Sequence, residues 1–135
     1  MSKFKDLCDQ LEAAIESSYT DGVSLEEAER LAGRFLGAQL AVSAELKKYS
    51  LDARMRKSGL KAVRSAVYLA EVQKNEKKPT ETMLASLVDT HEVVQSEQTA
   101  LDTAEVERED LERYFDVFGN AHIFFRGVAK GSFGG

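Results

Sequence analysis

KNEKKPTE, residues 74–81, decides how the rest of this chain is read. It holds the single proline, Pro79, and it is the one clear connector between two long runs of helical periodicity. Proline disfavours helix at the preceding Lys78 and fits the first turn of a following helix. A turn there makes the two runs an antiparallel helical hairpin.

Upstream of the connector, SLEE opens a helix. Ser24 followed by Glu27 is a capping box, in which side chain and backbone satisfy each other's orphan donors. Leu25, Ala28, Leu31, Ala32, Phe35, Gln39 and Val42 recur on one helical face. Gly37 and Gly59 each weaken a helix by about 1 kcal/mol, which is not enough to end it. The spacing predicts one long helix over about 24–74, with Ser50 a point where it can bend. Downstream, Leu84, Leu87, Val94, Leu101, Leu111, Phe115 and Phe118 predict a second long helix over about 80–128, with Gly119-Asn120 a possible kink. Before the hairpin, Phe4, Leu7, Leu11, Ala14 and Ile15 predict a short helix over about 4–18, ended by Asp21-Gly22. GSFGG at 131–135 reads as a flexible tail.

No β-branched runs bounded by turn residues are present, so the fold class is all-α. The expected architecture is a single domain over 1–130, a long antiparallel helical hairpin preceded by a short N-terminal helix. Two helices cover only part of each other's apolar faces. The chain is therefore expected to oligomerise through its helices or to fold the first helix back on the hairpin.

The formal net charge of −5 excludes a global positive field that attracts nucleic acid. Cys8 is the single cysteine, so no internal disulfide forms. It falls among Phe4, Leu7, Leu11 and Ile15 and reads as a small buried apolar residue. No apolar run approaches the roughly 20 residues of a membrane span, and MSKFKDLCDQ lacks a signal-peptide core. The expectation is a cytoplasmic protein (host cytoplasm, if phage-encoded) with no membrane partner.

Charge is segregated along the chain. Residues 1–46 carry net −5, residues 47–78 net +7, residues 79–118 net −9, and residues 119–135 net +2. The hairpin lays 47–74 beside roughly 80–107, so the basic segment can face the acidic one and set helix register. On a helical wheel Leu60, Val63, Val67 and Ala70 form one stripe. Arg54, Lys57, Lys61 and Arg64 form another, about 120° away. Arg56 lies nearer the seam and is the better ion-pair candidate. The basic stripe has two readings: a partner for the acidic helix, or a solvent-facing row for a phosphate backbone. Tyr49 and Tyr68 lie near it, as ordinary packing residues or as stacking platforms for single-stranded bases.

No catalytic constellation stands out. His91 and His122 sit in separate segments without a second ligand at a recognised spacing, and no Glu-x-x-His pair is present. His91 reads as a core-edge residue. AEVEREDLE spreads its carboxylates around the helix, and no glycine-rich phosphate loop follows a strand. A non-enzyme without cofactor or metal is expected.

The layout of residues 40–130 resembles the UvsY family of phage recombination mediators. The parts that match are the basic helix ELKKYSLDARMRKSGLKAVRSAVYLA, the connector KKPTETMLASLVD, the long helix VVQSEQTALDTAEVEREDLERYFDVF and the basic-aromatic end NAHIFFRGVAK. The resemblance implies an accessory protein that binds single-stranded DNA, assembles into rings, and helps a RecA-type recombinase displace single-strand DNA-binding protein. It implies DNA contacts at Lys47, Lys48, Arg54, Lys57, Lys61 and Arg64, with Arg126 and Lys130 adding to them. It implies subunit contacts at Phe115, Phe118, Ile123 and Phe124. The strongly acidic 79–118 departs from a simple DNA binder. The alternative is a non-enzymatic coiled-coil adaptor or viral inhibitor that acts through protein contacts.

Overall fold

The computed structural model describes residues 2–74 and 76–131. It is all-α, with α1 over Ser2–Asp21, α2 over Leu25–Lys74, α3 over Glu81–Asp89 and α4 over Glu92–Ala129. The expected tail lies, beyond Gly131, outside the described residues.

α1 ends where sequence chemistry demands. Gly22 takes the left-handed conformation at φ 76° and returns its N–H to the Ser18 carbonyl at 3.0 Å. α2 then starts on the expected cap: Ser24 Oγ accepts the Glu27 N–H at 3.1 Å. Its 50 residues run without a break at Gly37, Ser50 or Gly59.

The expected second long helix is instead two helices, broken at Thr90-His91. Thr90 caps the C-terminus of α3, with its hydroxyl donating to the Ser86 carbonyl at 2.8 Å. His91 caps the N-terminus of α4, its Nδ1 accepting the Val93 N–H at 3.1 Å. Val88 and Val94 are both buried. On one straight helix they would point about 120° apart, so a continuous rod could not turn both toward α2. The break resets the phase. Pro79 also lies outside the first turn where it was expected, two positions before the first helical residue Glu81, because Thr80 is the N-cap of α3 and accepts the Met83 N–H.

Contacts group into two compact units within the expected single domain. The first comprises residues up to Leu46 and from Glu109 onward. Here α2 and α4 run antiparallel: His122 Nδ1 donates to the Ala32 carbonyl, Phe35 packs on Phe118, and Gln39 Nε2 donates to the Phe115 carbonyl. Phe35 stacks on Phe125 with ring centroids 5.6 Å apart and tilts against Phe118 at 5.7 Å. α1 completes this unit through Lys5–Asp110, Glu12–Arg113 and Tyr114–Asp9. Leu7, expected in the apolar stripe of α1, is exposed, while its neighbour Cys8 is buried. α4 runs on unbroken through Gly119, and the Gln39 amide crosses against it, 2.5 Å from where a Cβ would stand.

The second unit, Lys47–Arg108, closes around Ala53, Leu60, Val67, Val88, Val94, Leu101 and Ala104. On α2 these buried positions recur every seven residues, the spacing of a helix-pair seam.

Two buried groups in the first unit tie stability to alkaline pH. Burial, with Asp9 and Glu12 nearby, pushes the Cys8 thiol up to about 11 from 9.0. Burial and its hydrogen bond to Asp9 push the Tyr114 hydroxyl up to about 12. Both folded values are raised, so the stability they lend is full below the unfolded values and is lost as pH rises through the folded ones. The melting temperature is expected to fall between pH 9 and 12, and Tyr114→Phe is expected to flatten the upper part of that fall. The cap gives a second expectation. His91→Ala costs about 1 kcal/mol in urea unfolding, and His91→Asn, which restores a capping oxygen, costs much less.

Candidate nucleic-acid interface

The seam of the second unit fixes the exposure of the other α2 residues in that unit. Ala53, Leu60 and Val67 face inward, Val63 is half-buried, and Ala70 is exposed. The buried stripe is thus rotated from the expected Leu60–Ala70 line toward the basic row. Arg54, Lys57 and Lys61 remain exposed, and among the described residues they make no ion pair. Lys47 and Lys48 are exposed on the preceding turns, and Lys48 has a partner of its own.

Arg64, at the end of the row, is brought against α3. Its Nη2 donates to Asp89 at 2.6 Å. The two expected readings of the basic stripe therefore divide between residues: Arg64 faces an acidic helix, and Arg54, Lys57 and Lys61 face solvent. Arg56, expected to reach across the hairpin, pairs instead with Asp52 on its own helix at 3.0 Å, one turn away.

Between α2 and α3 lies a groove of about 530 Å³, lined by Arg64, Ser65, Tyr68, Leu69, Glu81, Ala85 and Val88. Tyr68 packs against the core of the unit while its hydroxyl donates to Glu81 at 3.2 Å. Arg64 also walls a second hollow of about 350 Å³, with Asp89, Val94, Gln95, Gln98 and Thr99. Tyr49 is half-buried on α2 and lines neither.

Arg126 and Lys130 are exposed at the end of α4, in the first unit. The residues expected at subunit contacts divide three ways. Ile123 is exposed. Phe115 and Phe124 are half-buried, with Phe124 edge-on to Phe125. Phe118 is a correction: it is fully buried among Phe35 and Tyr114, so it belongs to the protomer core and presents nothing to a second copy.

Sequence reading missed an exposed apolar line on α2. Leu51, Met55 and Leu69 are all more than half exposed, and Ser58, Ala62 and Ser65 lie between them at helical spacing. The 4-3-4-3-4 interval of these six positions was the available signal. It is masked because the core seam occupies the same helix. His91 is half-buried, and it is also the N-cap of α4, a role its spacing did not show.

Among the described residues no group of three or more His, Cys, Asp or Glu side chains is placed to hold a metal ion. No described helix is long and apolar enough to cross a membrane. The fold and surface define a class: an all-α helical hairpin with a free cation row beside an apolar line. No protein-family model matches the chain, and neither a curated protein nor a solved structure matches it.

Phe118→Ala is expected to lower unfolding free energy by about 3–5 kcal/mol at protomer concentrations where no assembly forms. Unchanged stability with altered sedimentation would return Phe118 to an interface role.

Proposed function

We propose that this protein binds single-stranded DNA as a recombination mediator, holding the strand for a RecA-type recombinase while single-strand DNA-binding protein is displaced. The observation that carries the reading is the row Arg54, Lys57 and Lys61: three exposed cations on neighbouring turns without ion-pair partners among the described residues, in a chain of net charge −5. Like charges at such spacing repel and weaken a helix. A phosphate backbone relieves that repulsion and gains entropy from the counterions it releases. The resemblance to the UvsY family in layout supplies the recombination context.

The exposed Leu51 and Met55 support self-assembly into a ring or other homo-oligomer. A few cations per protomer then become many per assembly, and weak contacts sum through effective concentration. A second reading, a coiled-coil adaptor or viral inhibitor, is favoured by the same apolar line and needs no nucleic acid. Under either reading the chain acts by contact, as a non-enzyme in the cytoplasm.

The deciding experiment is fluorescence anisotropy of a labelled single-stranded oligonucleotide across a salt series, with duplex of equal length beside it. Wild type is expected to prefer the single strand and to lose affinity linearly on a logarithmic salt axis. Replacing Arg54, Lys57 and Lys61 together by glutamate is expected to abolish binding while the circular-dichroism melt holds. Wild-type binding that is absent at low salt, with a protein partner co-purifying, establishes the adaptor reading instead.

A further inference from the structure

The basic row does not end in open solvent. Lys57, Lys61 and Arg64 climb α2 by about 4.5–6 Å per step, and the last of them forms one wall of the α2–α3 groove. The floor of that groove is apolar, made by the buried Val88 and the half-buried ring of Tyr68, with the exposed Leu69 and Ala85 beside them. Its rim is polar, made by Arg64, Ser65 and Glu81. Its volume of about 530 Å³ falls within the span of small-molecule sites.

Two carboxylates of α3 engage the groove's polar side chains, Asp89 from the neighbouring hollow and Glu81 from the groove itself. Asp89 accepts from Arg64 at 2.6 Å, and Glu81 accepts from the Tyr68 hydroxyl at 3.2 Å. A guanidinium binds carboxylate and phosphate through the same fork of donors, so Asp89 stands where a phosphate oxygen can stand. The side chains of Arg64 and Asp89 are 42% and 59% exposed, so their pair is weakly held and open to exchange. An apolar floor beside an aromatic ring suits the face of a base, and a carboxylate at the rim suits the exocyclic amine on a base edge.

We propose that this groove is a nucleotide subsite for the single strand: a phosphate displaces Asp89 from Arg64, and the adjoining base lies on the floor between Tyr68 and Ala85. The inference rests on the single-strand reading above and deepens it. It makes α3 an internal competitor, with Asp89 occupying the cation until a strand arrives. It predicts that binding at this point tolerates many sequences, since every base has a face to lay down.

Two variants test it in the same anisotropy assay. Ala85→Leu fills the floor from an exposed position of α3 without altering charge. It is expected to weaken single-strand binding roughly 5- to 10-fold, with the salt slope unchanged, because the lost contact is uncharged. Asp89→Asn keeps the shape but removes the competing charge, and is expected to tighten binding several-fold. Ser65→Leu, which fills the groove from α2, replaces Ala85→Leu if that variant melts early. Wild type that binds while either variant matches it overturns the subsite and leaves the single-strand reading standing. Wild type that does not bind at low salt removes both.

Discussion

α2 is a single helix of 50 residues, and the rest of the structure adjusts to it. A helix turns about 100° per residue, so a stripe that must keep meeting partners over such a length is tightly constrained in phase. In the second unit that constraint is met by burying Ala53, Leu60 and Val67, seven residues apart. The returning chain cannot match it as one rod. It breaks at Thr90-His91, where a threonine hydroxyl and an imidazole satisfy the backbone groups that the break exposes. α3 and α4 then bring Leu84, Val88 and Val94 inward.

That phase also divides the charges. With the seam at Ala53, Leu60 and Val67, Arg54, Lys57 and Lys61 point outward and Arg64 meets Asp89. Exposed pairs of this kind contribute about 0–1 kcal/mol, so Arg64–Asp89 orients α3 more than it holds it. The burial of Leu84 and Val88 is the stronger attachment. α3 is thus held by its apolar side, while Asp89 pairs with Arg64 and Glu81 with Lys78 and Tyr68 on its polar side.

In the first unit the same helix is fixed by aromatic packing instead. Phe35 meets both Phe118 and Phe125, and α1 covers Tyr114 through Cys8 and Asp9. This aromatic cluster claims Phe118, which the resemblance had offered to a neighbouring subunit. The exposed apolar surface is accordingly different from the one expected. Ile123 on α4 and Leu51, Met55 and Leu69 on α2 are among the large apolar side chains left exposed.

Legible in the sequence alone were the all-α class, the cap at Ser24, the end of α1 at Gly22, a long helix over about 24–74 and the hairpin turn near Pro79, but not whether that helix breaks at Ser50. Each of these follows from local chemistry: periodicity, capping oxygens, the freedom of glycine and the stiffness of proline. It also determined that the cations cluster on α2. Only the tertiary structure decided which of them are free. Arg54 and Arg64 belong to one stripe on a wheel, yet one is solvated and the other is paired, because α3 covers one end of the row. The break at Thr90-His91 was equally out of reach. Thr-His carries no strong stop signal, and its need arises from the phase between Val88 and Val94, a relation set by packing against a helix distant in sequence.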